Sequence, residues 1–129
     1  MMIGVDLIRV DRVAKLSGND VNNRVFTRNE VEYANTKAIV KTRGEVCSQR
    51  DNTYAGFFAA KEAFLKALGL GIGDEFKLCE VEISHYGSGQ PYIVISDKIK
   101  EFLKQRKLTQ VNLSISHDSG FAIAVVDIK

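Results

Sequence analysis

Apolar residues recur along this chain with two different periods. Ile3, Val5 and Leu7 alternate with Gly4, Asp6 and Ile8, the period of a strand, which sets Asp6 on the face opposite the three apolar residues. Carboxylates are disfavoured in strand interiors. Asp6 is therefore either a solvated strand end, the simpler expectation, or a residue put to use. Val10, Val13, Ala14 and Leu16 then repeat at helical spacing, and Gly18-Asn19 closes this short helix. Thr27-Arg28-Asn29-Glu30 is a capping box, so residues 27–38 are predicted to form a second helix with a structural role. Residues 41–53 are polar and aperiodic and predict a mobile loop, with Asn52 or Thr53 capping the helix that follows.

That helix, over 57–69, organises the chain. Ala, Leu, Lys and Glu dominate it, no Pro or β-branched residue interrupts it, and Gly69 supplies a C-terminal stop. Phe57, Phe58, Ala60, Phe64, Leu65, Ala67 and Leu68 cover a wide apolar arc. Glu62 and Lys66 stand outside it, about 40° apart, between the small residues Ala59 and Ala63. An exposed i, i+4 ion pair worth a few tenths of a kcal/mol is the plain reading of the two. The strip is narrow for a solvated face, however, and the flanking alanines leave room for a ligand. Lys61 points into the apolar arc, either as a snorkelling lysine or as a phosphate contact.

Strands dominate the second half. Leu78 to Ser84 alternates on Cys79, Val81 and Ile83, and Tyr92 to Ile95 is a short apolar run. The turn Tyr86-Gly87-Ser88-Gly89-Gln90-Pro91 joins them as a hairpin, with Pro91 suited to the first residue of a strand. Ser96 caps a helix that carries Ile99, Phe102 and Leu103 inward, and Val111, Leu113 and Ile115 alternate as another strand. Phe121 to Ile128 forms the last strand, and Ser116 to Gly120 connects the two. His117 thus sits at a strand end beside a tight turn, either displayed for chemistry or bonded to turn amides. The alternate glycines Gly69, Gly71 and Gly73 read as a phosphate-approaching loop or, more simply, as a helix terminator.

Composition narrows the class. At 129 residues, 45% hydrophobic and 26% charged, the chain is expected to form one α+β domain over 1–129 with a real core. A net charge of +2 gives no case for nucleic acid. No apolar run long enough to span a membrane occurs, and the N-terminus lacks the pattern of a secretory signal. Cys47 and Cys79 lie far apart without metal-ligand spacing, as expected for reduced thiols in a cytoplasmic protein. Two carboxylates on different elements, Asp6 and Glu62, suit Mg²⁺, with Lys66 to hold a phosphoryl oxygen and His117 to bind or relay a proton. The residues alone point to a metal-assisted phosphate enzyme. Its rivals are a non-catalytic nucleotide- or protein-binding module and a metal phosphohydrolase.

Ile3-Gly4-Val5-Asp6 with Arg12, Phe58-Ala59-Ala60-Lys61-Glu62-Ala63-Phe64-Leu65-Lys66-Ala67-Leu68-Gly69 and Ser114-Ile115-Ser116-His117-Asp118 closely resemble the holo-acyl-carrier-protein synthases, the short type of 4′-phosphopantetheinyl transferase. Phe26-Thr27, Glu30-Val31, Tyr33 and Gly89-Gln90-Pro91-Tyr92 extend the resemblance over nearly the whole chain. It implies a mainly antiparallel sheet packed against a long central helix. It also implies Mg²⁺-dependent transfer of 4′-phosphopantetheine from coenzyme A to a serine of apo acyl carrier protein, as in fatty acid biosynthesis, releasing adenosine 3′,5′-bisphosphate. On that reading Asp6 and Glu62 hold the metal, Lys66 neutralises or protonates the departing phosphate, and Glu62 takes the serine proton through a water. His117 contacts the phosphates, Gly89 and Pro91 lie near the adenine, and Lys61 and Gly69 belong to the coenzyme A site. Arg12 and Lys15, three residues apart on the first helix, would dock the acidic carrier. The short type is typically a homotrimer with sites between subunits. The chain departs from many relatives in carrying Phe57 where they have Arg, a cation that Arg43 or Arg50 could replace, and Leu70 where they often have Thr.

Overall fold

The computed structural model describes residues 2–17, 24–71 and 74–129. Elements follow in the order β1 (Met2–Arg9), α1 (Val10–Ser17), α2 (Arg28–Asn35), α3 (Gln49–Ala67), β2 (Val81–His85), β3 (Pro91–Ile95), α4 (Asp97–Gln105), β4 (Val111–Asp118) and β5 (Phe121–Ile128). β5 is the centre of a three-stranded antiparallel sheet of order β1-β5-β4, and β2 and β3 form a separate hairpin. The α+β class and the antiparallel sheet against a long helix are as the resemblance implies.

The long helix is longer than its apolar pattern indicates. α3 begins at Gln49, eight residues before Phe57, and its N-cap is Ser48, whose side chain accepts from the Asp51 amide. Neither Asn52 nor Thr53 caps it; both lie inside the first turns, a stretch that polarity alone had marked as loop. Its end is as expected. Leu70 N donates to Leu65 O and Gly69 N to Lys66 O, each at 2.9 Å, with Gly69 at φ +74°. This paired closure needs the left-handed conformation that glycine adopts freely. Leu78 to Glu80, read as strand, is a 3₁₀ turn leading into β2. β4 continues through His117 to Asp118, and the connection to β5 is only Ser119 and Gly120, at φ +51° and +83°. The closing residues Gly18-Asn19 and the glycine Gly73 lie outside the described residues.

β1 alternates as read, but its two faces are the reverse of what its apolar residues suggest. Gly4 and Asp6 turn inward, while Ile3, Val5 and Leu7 are exposed by 62, 50 and 63%. The inner face of β5 carries Ala122, Ala124, Val126 and Ile128, all fully buried under α3. α3 approaches so closely that a Cβ on Gly4 would run into the Ala63 carbonyl and come within 2.6 Å of the Ala67 nitrogen. No side chain fits at Gly4, so the large apolar side chains of β1 take the outer face.

Lys61 also departs from both readings of it. Its side chain neither snorkels nor reaches a ligand, because it is completely buried. Nζ lies 2.8 Å from Glu30 Oε1 and donates to Leu78 O at 3.1 Å and to Val81 O at 2.6 Å, which uses all three of its protons. The capping box is present as read, with the Thr27 side chain accepting from the Glu30 amide and the Glu30 carboxylate accepting from the Thr27 amide. Glu30 does more than cap, for Oε2 also accepts from Ile83 N at 2.8 Å.

Candidate active site

α3 crosses the inner face of the sheet from β4 to β1. At one end of the crossing Gly56 lies against His117, where an added Cβ would stand 2.8 Å from Nε2. At the other, Ala63 lies against Gly4. The expected site residues consequently fall into two groups on either side of the helix.

The first group is on the β1 side. Asp6 faces inward on β1 and is 7% exposed. One of its oxygens, Oδ1, is 2.9 Å from Lys66 Nζ, and the other, Oδ2, is buried with no N–H donor. The Asp6 side chain also shares a hydrogen bond with the Glu62 carboxyl when that is protonated. Lys66 Nζ also donates to Val5 O at 3.3 Å, and its side chain is 54% exposed. Glu62, one turn before Lys66, lines with Asp6 and Arg12 an open cavity of about 400 Å³, walled otherwise by apolar side chains such as Phe58, Val13 and Leu16. Burial and then the Asp6 carboxylate raise the Glu62 pKa to about 7, against the pull of Lys66 and Arg12. The hydrogen bond to Asp6 shifts Lys66 upward. Two carboxylates in one half-buried place, one with an orphaned oxygen and the other held back from ionising, form a donor set that a divalent cation would satisfy. Among the described residues no third acidic, His or Cys side chain joins them. That fits Mg²⁺, which takes one or two protein carboxylates and fills its other positions with water and phosphate.

The second group is on the β4 side. His117 shares an inner-face rung with Ala122 and Ile8. A ring nitrogen bonds the Asn52 backbone, while burial lowers the pKa of the ring overall and favours the neutral form. His117, Gly89 and Pro91 line one cavity of about 220 Å³ with Tyr33, Phe57 and His85. Tyr33 and His85 stack with centroids 3.8 Å apart and an interplanar angle of 6°. Phe57 packs against both, at 6.0 Å and 5.7 Å. Phe57 is thus a buried aromatic, and Arg50 lies in the first turn of α3, outside this cavity.

The structure therefore joins Asp6, Glu62, Lys66 and Arg12 in one place and His117, Gly89 and Pro91 in another. Lys61 joins neither, and Gly69 closes α3 away from both. Arg12 and Lys15 are exposed on α1, beside the first group. Tyr33, one of the residues that carry the resemblance, and His85 are not among the expected site residues. Tyr33 lies three residues after Glu30 on α2, and His85 ends β2, one residue past the predicted strand, but nothing local shows that the two rings meet.

Known proteins resemble this chain in sequence and in fold. Residues 2–126 match the family model of the 4'-phosphopantetheinyl transferase superfamily. The holo-[acyl-carrier-protein] synthase of Fusobacterium nucleatum is 38% identical over 125 residues, which cover 95% of this chain and 93% of that protein. The crystal structure of Helicobacter pylori holo-[acyl-carrier-protein] synthase in complex with coenzyme A superposes with a TM-score of 0.78 at 32% identity, over 99% of this chain and 100% of that one. The Bacillus anthracis synthase, in complex with coenzyme A (3',5'-ADP), gives 0.74 at 33% identity over 98% and 93%. The chain is an enzyme of the holo-[acyl-carrier-protein] synthase family, within the 4'-phosphopantetheinyl transferase superfamily.

Proposed function

We propose that this protein transfers 4′-phosphopantetheine from coenzyme A to a serine of an apo acyl carrier protein, releasing adenosine 3′,5′-bisphosphate. The observation that carries the reading is the Asp6–Glu62–Lys66 cluster, an orphaned carboxylate oxygen and a raised carboxyl beside an exposed ammonium, in a chain of this family. Asp6 and Glu62 would hold Mg²⁺. When bound, the ion neutralises charge on the pyrophosphate. Lys66 lies where it can meet the charge that develops on the departing phosphate. Phosphoryl transfer asks mainly for positioning and charge neutralisation, and this is what the cluster can supply. Glu62 accepts the serine proton through a water. His117 contacts the phosphates, and Gly89 and Pro91 flank the adenine in the cavity walled by Tyr33, His85 and Phe57.

We also assign residues 1–129 to a single transferase domain working in the cytoplasm as a homotrimer, with each site shared between subunits. Two features support association of copies of this chain. The metal-binding and nucleotide-binding groups of one chain line separate cavities, and the outer sheet face exposes Ile3, Val5, Leu7, Phe121, Ile123 and Val125 as one apolar patch. Among the described residues no helix is long and apolar enough to cross a membrane.

The direct test is to incubate the protein with coenzyme A, Mg²⁺ and apo carrier protein and weigh the carrier. Mass gain by one phosphopantetheine supports the transfer. An unmodified carrier alongside hydrolysed coenzyme A would point to a phosphohydrolase, and no reaction at all to a binding module.

Two further results are expected. Lys66→Ala should lower kcat by about 100-fold, near 2.7 kcal/mol of transition-state stabilisation, and raise KM much less. Equal, small effects on both would return Lys66 to an ordinary surface ion pair. Arg12 is exposed on α1 and suits an acidic carrier. Because it also lines the Asp6–Glu62 cavity, neutralisation is a cleaner probe than charge reversal, which would add a third carboxylate there. Arg12→Ala should raise KM for the carrier about fivefold, leave KM for coenzyme A unchanged and flatten the salt dependence of kcat/KM. An unchanged salt slope would place the carrier elsewhere.

A further inference from the structure

Glu30 and Lys61 form a fully buried ion pair that no step of the proposed transfer uses. Their other bonds go to backbone on neighbouring segments. Glu30 accepts from Thr27 N and Ile83 N, each at 2.8 Å, and so ties the start of α2 to β2. Lys61 donates to Leu78 O and Val81 O, and so ties α3 to the turn before β2 and to its first residue. Removing one partner would strand a buried charge, which explains why the pair persists once present. It does not explain why charges stand there at all, since well-packed apolar residues often replace a buried ion pair without loss of stability.

Placement supplies a reason. On each of the three tied elements, the residue one turn or one rung from the network is an aromatic ring of one wall. Phe57 is four residues before Lys61 on α3, and Tyr33 is three after Glu30 on α2. His85 is two after Ile83 on β2. These are same-face spacings for helix and strand. The three rings touch one another and line the cavity that also holds Gly89, Pro91 and His117. Apolar packing alone tolerates small slides between elements. Directed bonds from one pair to three segments do not, because a slide leaves a buried donor or acceptor unpaired.

We propose that Glu30 and Lys61 are positioning residues for nucleotide binding: their pair holds α2, α3 and β2 in the register that builds the Tyr33–His85–Phe57 wall of the cavity receiving the adenosine end of coenzyme A. This rests on the reading of that cavity given under the proposed function. Apolar packing in place of the pair yields a protein that folds yet binds the nucleotide poorly.

The test is calorimetric titration of the full chain with adenosine 3′,5′-bisphosphate, well below each variant's unfolding midpoint. Glu30→Gln keeps the shape but has only one acceptor oxygen, so its NH2 group must face either the Ile83 amide or the Thr27 amide and Lys61, and binding should weaken about tenfold. The double variant Glu30→Leu with Lys61→Met removes both charges together. It should regain only part of the midpoint lost by Lys61→Met alone, because the Thr27 and Ile83 amides and the Val81 carbonyl still lose their partners, while binding about tenfold more weakly than wild type. A double variant that recovers both midpoint and affinity would overturn the proposal, leaving the pair as packing only. Tyr33→Ala tests the cavity separately: unchanged affinity there would overturn the cavity assignment itself, and the proposal with it. If no variant folds, hydrogen exchange of the wild-type protein decides. The Thr27 and Ile83 amides should slow on adding the bisphosphate while the α4 amides do not, and unchanged rates at Thr27 and Ile83 would overturn the proposal.

Discussion

Glu62→Gln and Asp6→Asn are each expected to lower turnover by at least about 100-fold, near 2.7 kcal/mol or more of transition-state stabilisation, without unfolding the protein. The two substitutions should differ in their effect on stability. Glu62 has its pKa raised to about 7 from an ordinary 4.5, so its ionised form is the costly one in the folded state. The folded protein then holds a proton that the unfolded chain has released, and stability falls as pH rises from about 4.5 through about 7. Glu62→Gln removes that loss. Because the group is only half-buried, the gain at pH 8 is discounted for solvent screening to about 1 kcal/mol, and it should shrink as pH falls towards 4.5. Asp6→Asn loses the Lys66 ion pair but also an unpartnered carboxylate oxygen, and should leave the midpoint nearly unchanged. The same titration predicts that Mg²⁺ binding, followed calorimetrically without substrates, releases a proton near pH 6 and weakens as pH drops through 7. Wild-type turnover in either variant at low metal would remove the metal assignment.

Leu7→Lys is expected to yield a folded, monomeric protein with turnover reduced at least about 100-fold. Leu7 is 63% exposed and pairs across the sheet with Ile123, at the middle of the apolar outer face. A lysine buried there against a second subunit would be unpaired, at a cost of about 3–5 kcal/mol per contact. Leu7 also lines the Asp6–Glu62 cavity, so a loss of activity reports on assembly only if Val125→Lys, on the same outer face but lining neither cavity, loses it too. Light scattering and circular dichroism check mass and fold. Recovery of activity as protein concentration is raised would tie turnover to assembly. A fully active monomer would show that one chain completes the site alone.

The residues of the first cluster were legible in the sequence because their signals are local. Glu62 and Lys66 interrupt an apolar arc on a helix, and a carboxylate in the middle of a strand pattern marks Asp6. The same logic misplaced Lys61. A lysine within an apolar arc suggests snorkelling, because one helix does not reveal a carboxylate 31 residues earlier waiting in the core. Glu30 was likewise read as a cap only, which it is, although its second oxygen serves β2. The Tyr33–His85–Phe57 wall had no local mark, since its rings come from three elements.

What the sequence by itself determined was the locally signalled elements: the strand β1, the caps at Thr27 and Ser96, the helix end at Gly69, and the last strand. Capping and alternation depend on residues within a few positions of one another, so they need no tertiary partner. Tertiary structure decided which face of β1 is inner. Alternation yields two faces, and the apolar one would ordinarily be buried, but here close approach of α3 demands Gly4 and the alanines of β5 on that side. Steric room at a crossing of two elements thus overrode hydrophobicity. That override carries Asp6 inward beside Glu62 and Lys66, and leaves Ile3, Val5 and Leu7 facing out.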